Sequence, residues 1–150
     1  MEKLDDFDRR IVEELQKSGR ITVTDLAKKV GLSKTPCQIR MKKLEDAKYI
    51  LGYRAEVDHR KLGAGHIAFV QVKLNDTRSR SLEAFNAAAR AIPEIEECHM
   101  IASGFDYLLK VRTKDIASYR RVLGEKVSEM PFVAQTSTFV CMEQIKDRPV

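Results

Sequence analysis

The sequence predicts an α+β fold in two parts, and three observations support this class. The first third of the chain carries apolar residues at helical spacing, punctuated by glycines and helix-capping residues. The second half changes to short segments of alternating apolar residues, in the order strand, helix, strand, strand, helix, strand. Hydrophobic residues make up 43% of the 150 positions, which is enough to bury a core and excludes a disordered chain.

A first helix is predicted from an apolar stripe close to the N-terminus. Either Asp5 or Asp6 caps its start, and the helix ends near Gly19 because glycine commonly terminates helices. The stripe consists of Leu4, Phe7, Ile11 and Leu15.

Two further helices are predicted from their capping residues. Thr22 and Asp25 form a capping box, with Asp in place of the usual Glu, and Gly31 ends the second helix. Ser33 caps a third helix, whose first turn tolerates Pro36 because no backbone hydrogen bond is lost there. The apolar face of the third helix consists of Cys37, Met41 and Leu44. Two short helices joined by a tight turn indicate a winged-type helix-turn-helix, all-α and followed by an extended hinge.

The second half of the chain is predicted to form a ferredoxin-like βαββαβ domain. Its helices end before Pro93 and Pro131, and a turn at Ser103 and Gly104 joins the two middle strands. The strands are placed at 67–74, 95–102, 107–113 and 133–142. The predicted domains are therefore residues 1–48 for the helix-turn-helix, 49–63 for the hinge and linker, and 64–150 for the ferredoxin-like unit.

One face of such a sheet lacks helices and must meet water or a partner. Ile67 and Phe69 lie on the minority face of the first strand, where exposed apolar side chains are unfavourable. We therefore expect these two residues at a subunit contact, and a homodimer is the simplest closure.

Basic residues cluster in the predicted helix-turn-helix. Residues 17–54 contain ten lysines and arginines against three acids, a net charge of +7 compared with +5 for the whole chain. A solvated helical face and a polyanion-binding surface both fit this cluster. A recognition helix presents polar side chains to the major groove of DNA, which favours double-stranded DNA as the partner.

The candidate DNA contacts lie on the third helix and its cap. Gln38 matches the bidentate pattern of adenine, and Thr35 suits a base edge or a thymine methyl. The basic residues reach phosphates, and Arg40 alternatively reaches a guanine. Ile39 has two interpretations, a thymine methyl contact or packing against the extended segment after the helix. The full set is Ser33, Lys34, Thr35, Gln38, Ile39, Arg40, Lys42 and Lys43.

The sequence indicates no disulfide framework, metal site or catalytic site. The three cysteines are far apart, which fits neither a disulfide framework nor a zinc site, and we expect Cys37 and Cys98 in the core. His99 is given a structural role because it lacks further metal ligands nearby. No phosphate-binding loop or nucleophile elbow occurs, so neither an enzyme nor a cofactor is predicted. The charged residues 1–10 and the lack of a long apolar run predict a cytoplasmic protein with no membrane partner.

Beyond these patterns, the chain resembles the leucine-responsive and asparagine-regulator (Lrp/AsnC) family of bacteria and archaea. The resemblance begins in residues 21–45, with Val-Gly-Leu-Ser and Thr-Pro-Cys inside that range. It continues through residues 49–53, 97–99, 105–110, 119–120 and 140–143, and therefore covers nearly the whole chain. The C-terminal half is similar to a branch that activates catabolism of proline or branched-chain amino acids.

The resemblance implies a transcription regulator that responds to an amino-acid effector. It implies dimers formed through the sheets and the hinge, which assemble into tetramers or octamers and bind the effector between dimers. The implied effector site consists of Ser103, Gly104, Asp106, Tyr107, Thr136 and Thr138.

The chemistry of this implied site suits a zwitterion. Asp106 accepts from the ammonium and turn N–H groups hold the carboxylate; alternatively, Asp106 is a turn residue that bonds its own backbone. The family usually has Gly where this chain has Ser103, whose side chain narrows the pocket or adds a donor.

Two other classes of protein remain open at this point. An architectural, DNA-compacting protein of low sequence specificity would use the same basic helix. An enzyme or ligand carrier built on the C-terminal unit would have no need of the basic N-terminal helices.

Overall fold

A computed structural model describes residues 3–147, and the ends of the predicted outer domains, residues 1–2 and 148–150, lie outside that range. The chain divides into two compact units between Val57 and Asp58. This boundary falls inside the segment predicted as the hinge.

The N-terminal unit consists of three helices, α1 (Asp6–Lys17), α2 (Val23–Val30) and α3 (Lys34–Asp46). No strand is assigned between α3 and residue 66, all of which lies within the described part of the chain, so the unit is all-α as predicted. Its core contains the predicted apolar stripes of all three helices. The buried members are Ile11, Leu15, Leu26, Ala27, Val30, Cys37 and Leu44.

The three helices begin with different capping arrangements. Asp5 is the cap of α1: its carboxylate accepts from the Asp8 N–H at 2.8 Å, and Asp8 accepts in return from the Asp5 N–H at 3.4 Å. Thr22 accepts from the Asp25 N–H at 3.1 Å, but Asp25 bonds the Thr22 hydroxyl and not its backbone, so the predicted box is only half formed. Ser33 is the N-cap residue of α3 as predicted, but its hydroxyl makes no capping hydrogen bond.

The C-terminal unit has the predicted βαββαβ order. Its elements are β1 (His66–Leu74), α4 (Ser79–Ala91), β2 (Ile95–Met100), β3 (Tyr107–Thr113), α5 (Ile116–Val122) and β4 (Val133–Val140). The strands form one antiparallel sheet in the order β2-β3-β1-β4, as a ferredoxin-like domain requires. The second predicted helix of this domain, which ends before Pro131, is not a uniform α-helix, because α5 changes into a π-helical turn at Leu123–Val127.

The two faces of the sheet differ in what covers them. On the helix side, Val70 and Val72 of β1 are fully buried among side chains of α4 and α5. On the other side, Phe69 is half-buried and lies opposite Phe139, which is 52% exposed. Ile67 shares that side but is only 4% exposed within one chain, so little of it is available to a partner. Of the two predicted contact residues, Phe69 is therefore the more available, and Phe139 lies beside it on the same face.

Candidate DNA interface and ligand site

The outward face of α3 carries most of the predicted DNA contacts. Side chains from its first turn and its solvent side are exposed because the apolar positions of the helix turn inward. These exposed residues are Ser33, Lys34, Thr35, Gln38, Ile39, Lys42 and Lys43. Ile39 is 64% exposed, so the interpretation that it packs against the extended segment is wrong.

The lysine at the middle of this face has a weak intramolecular partner. Lys42 contacts the Asp46 carboxylate at 2.8 Å, one helical turn further on, and both side chains are exposed. The hydrogen bond to Asp46 raises the pKa of Lys42, so the side chain stays charged at neutral pH. Exposed pairs of this kind stabilise a protein very little, and Lys42 can exchange Asp46 for a phosphate at small cost.

Arg40 is placed differently from the rest of the predicted set. Its Nη1 atom donates to Asp5 at 2.6 Å and to Asp8 at 2.8 Å, so the guanidinium lies against the start of α1. The sequence predicts Arg40 as a DNA contact, whereas its side chain is only 30% exposed and is paired with two acids of the first helical turn. Position 40 follows Cys37 by three residues, which places it at the border of the buried face.

The acidic partners of Arg40 were missed by sequence reasoning. Asp5 is predicted only as a candidate cap of the first helix, and Asp8, which is 6% exposed, is given no role. A buried acid on an apolar stripe is the signal that could have found them, because such a carboxylate requires a partner.

The predicted effector residues come from two segments of the C-terminal unit. Ser103 and Gly104 are exposed in the loop between β2 and β3. Asp106 ends this loop: its N–H donates to the Val72 carbonyl at 2.9 Å, and its carboxylate accepts from the Leu74 N–H at 2.7 Å. The expected alternatives were a ligand contact and a bond to its own turn. One carboxylate oxygen of Asp106 holds the loop against the neighbouring strand and does not bond its own turn, and the ligand contact stays a prediction.

Tyr107 belongs to the core and not to the loop. It is 1% exposed, its ring lies 4.2 Å from the ring of Phe85, and its hydroxyl donates to Asn86 at 2.7 Å. Burial raises the pKa of this phenol. The Tyr107 side chain therefore lies in the core, and the assignment of this residue to the effector site stays a prediction.

The two threonines of the predicted effector site lie on the helix side of β4. Thr136 pairs with Val72, which also pairs with Tyr107, so Thr136 lies in the row of the sheet nearest the loop. Thr138 lies one row further away, and its hydroxyl bonds that of Tyr119. The structure therefore brings together Ser103, Gly104, Asp106 and Thr136 more closely than it does Thr138.

The remaining candidates give no further site. Cys37 is buried as predicted, but Cys98 is exposed on the edge strand β2, which contradicts its predicted core position. Among residues 3–147, no group of three or more His, Cys, Asp or Glu side chains is arranged to hold a metal. Within the same residues, no helix has both the length and the apolar character needed to cross a membrane.

A three-helix unit with an exposed basic helix, joined to a separate sheet domain, defines a DNA-binding regulator with a ligand-binding domain. Comparison with family models agrees: an AsnC-type helix-turn-helix domain matches residues 4–45, and an Lrp/AsnC ligand binding domain matches residues 67–150. The chain belongs to the Lrp/AsnC family of transcription regulators and is not an enzyme.

Individual relatives match over nearly the whole chain. The chain is 61% identical over 144 residues to a proline dehydrogenase transcriptional activator of Rhizobium radiobacter, covering 96% of this chain and 92% of the relative. It is 55% identical over 145 residues to the protein of that name from Rhodobacter capsulatus, covering 97% and 94%. A crystal structure of a transcriptional regulator from Neisseria meningitidis in complex with L-Met superposes with a TM-score of 0.89 at 29% identity, covering 97% and 94% of the two chains.

Proposed function

We propose that this regulator reads a specific operator with the outward face of α3 and activates genes of amino-acid catabolism, with proline catabolism first among them. The names of the relatives from Rhizobium radiobacter and Rhodobacter capsulatus support the proline branch. The protein acts in the cytoplasm, where its DNA lies. The domains are residues 1–48 and 64–150, with residues 49–63 as a hinge.

The observation that carries the DNA-reading proposal is the polar, exposed first half of α3. Thr35 and Gln38 lie near its N-terminal end, which is the end of a recognition helix that contacts base edges. Lys34 and Lys42 flank them and are exposed, as phosphate contacts must be.

The test compares operator and random DNA across a salt series. Gln38→Ala is expected to reduce discrimination between them by about 1–3 kcal/mol, the value of one bidentate base contact. Lys42→Ala is expected to weaken binding to both DNAs and to reduce the salt slope by about 1. Lys114→Ala, an exposed lysine of the C-terminal unit, is the control. If the parent binds random DNA as tightly as any operator, the protein compacts DNA instead.

The proposed effector is an amino acid bound at the loop between β2 and β3. The exposed hydroxyl of Ser103 and the N–H groups of the loop supply donors for a carboxylate, and Asp106 supplies a carboxylate for the ammonium. The L-Met in the structure of the Neisseria meningitidis regulator supports this class of ligand. Because the loop belongs to the C-terminal unit, the effector acts by favouring one arrangement of subunits over another.

The effector is identified by thermal-shift screening against the twenty amino acids, because a ligand of the folded state raises the melting temperature. Ser103→Gly is the sharpest variant, since it changes only the loop surface and is expected to change effector affinity. Asp106→Ala is expected to abolish the response, but it also removes the acceptor of the Leu74 N–H, a loss of about 1–3 kcal/mol of stability. A Ser103→Gly protein with the parent's affinity would place the effector elsewhere.

We propose a homodimer that assembles further into tetramers or octamers, and the uncovered face of the sheet supports the homodimer. Phe69 and Phe139 lie opposite each other on this face, and a closed symmetric assembly would remove them from water. Light scattering of the full chain at micromolar concentration tests this, and a monomer would contradict it.

A further inference from the structure

One guanidinium joins the candidate DNA-reading helix to the first helix of the chain. Arg40 of α3 donates through Nη1 to Asp5 at 2.6 Å and to Asp8 at 2.8 Å, and its Cζ atom lies 5.4 Å from the ring centre of Phe7. These three partners are consecutive or near neighbours at the start of α1. Arg40 thus contacts an entire helical turn of α1 and not a single side chain.

The Arg40–Asp8 contact is more sheltered than the Lys42–Asp46 pair of the same helix, whereas Asp5, the second partner of Arg40, is 50% exposed. The Arg40 side chain is 30% exposed and that of Asp8 is 9% exposed, whereas Lys42 and Asp46 are 71% and 63% exposed. A sheltered pair is broken at a much greater free-energy cost than an exposed one, because removing either partner leaves an uncompensated charge. Arg40 is therefore not available to a phosphate in the way Lys42 is.

We propose that Arg40 is a positioning residue: it fixes the orientation of α3 on α1 through Asp5 and Asp8, so that Thr35 and Gln38 meet the bases in register. This inference rests on the proposed function, in which α3 reads the operator. The Asp5–Asp8 capping box strengthens the role, because the residues that hold Arg40 are themselves fixed by backbone hydrogen bonds of α1.

The two possible roles of Arg40 predict opposite changes in operator affinity for the same substitution. If Arg40 contacts DNA directly, Asp8→Asn frees the guanidinium and removes a negative charge near the phosphates, and operator affinity rises. If Arg40 positions α3, Asp8→Asn loosens the helix and operator affinity falls. Asp6→Asn is the matched control, because Asp6 is an exposed acid in the same helical turn.

The experiment measures binding of the full chain to operator and random DNA over a salt series, with folding of each variant checked by circular dichroism. For Asp8→Asn and Arg40→Gln we expect a loss of operator affinity of about tenfold, comparable to the loss of one base contact. Affinity for random DNA and the salt slope are expected to stay at the parent's values. The variant that carries both Asp8→Asn and Arg40→Gln is expected to lose no more operator affinity than either single variant, because both substitutions remove the same contact.

If the folded variants bind the operator with the parent's affinity, Arg40 serves only the stability of the protein, and the proposal is overturned. A rise in affinity for Asp8→Asn, or a salt slope reduced by about 1 for Arg40→Gln, also overturns it and makes Arg40 a phosphate contact. If Asp8→Asn does not fold, Asp5→Asn removes the more exposed of the two carboxylates and is measured in the same way. If Gln38→Ala binds the operator with the parent's affinity, the proposed reading face of α3 is wrong. If Gln38→Ala binds more weakly but the Arg40 and Asp8 variants keep the parent's affinity, only the positioning role of Arg40 fails.

Discussion

The two units of this chain build their candidate sites in different ways. The DNA face occupies one helix, and all of its predicted residues except Arg40 are exposed. The effector set draws on a loop and two strands, and three of its side chains are occupied within the fold: Tyr107 by Asn86, Asp106 by a backbone N–H, and Thr138 by Tyr119. A site on one helix can be inferred from spacing along the chain, whereas a site on a sheet depends on partners distant in sequence.

The largest expected effect tests whether Tyr107 is structural. Tyr107→Ala is expected to destabilise the protein by about 3–5 kcal/mol, because it leaves a cavity against Phe85. Tyr107→Phe is expected to cost only about 0.5–1.5 kcal/mol, the net value of the hydrogen bond to Asn86. Denaturant unfolding measures both. A Tyr107→Ala protein with the parent's stability and a weakened effector response would restore Tyr107 to the ligand site.

The next effect tests the uncovered face of the sheet. Phe69→Asp is expected to weaken self-association by about 2 kcal/mol or more, because it places an unpaired charge in an apolar contact. Ala87→Asp on the exposed side of α4 is the matched control and is expected to associate like the parent. Sedimentation or light scattering over a dilution series measures the dissociation constants, and equal constants for the two variants would remove Phe69 from the interface.

The fold was predictable because each element carries its own periodicity and capping residues. Strand β1 alternates in burial from Ala68 to Leu74, and Gly31 ends α2 in the left-handed conformation, with a φ of 77°. The ion pairs of Arg40 with Asp5 and Asp8 were not predictable from such signals, because their partners are 35 and 32 residues away. Cys98 is expected in the core because free cysteines are commonly buried, but β2 is an edge strand, and edge position is a property of the assembled sheet.

A smaller effect tests the caps of the two helices of the helix-turn-helix. Thr22→Ala is expected to destabilise the N-terminal unit by about 1 kcal/mol, because Thr22 accepts the Asp25 N–H. Ser33→Ala is expected to have a much smaller effect on stability, because the Ser33 hydroxyl makes no capping bond. Thermal unfolding compares the two. Equal losses would show that Ser33 caps α3 in solution, and would weaken its assignment to the DNA face.

The smallest expected effect is the pH dependence of stability that one acid in each unit contributes. The pKa of Asp5 is lowered by the Asp8 N–H and by Arg40, and that of Asp76 by the guanidinium and N–H of Arg78 and by the Ser81 hydroxyl. Because both pKa values are lower in the folded state, the stability these acids contribute is fully present above the unfolded value of about 3.9 and is lost as pH falls through the folded values. Asp76→Asn is therefore expected to melt below the parent at pH 7 and to begin to approach it below about pH 4, where the unfolded chain takes up a proton at Asp76 while the folded carboxylate is still ionised. The melting temperatures of Asp5→Asn and the parent are also expected to converge as the pH falls, because the pKa of Asp5 is lowered in the folded state like that of Asp76. A difference in melting temperature that stays constant from pH 7 to pH 3 would mean that the carboxylates act through geometry alone and not through their charge.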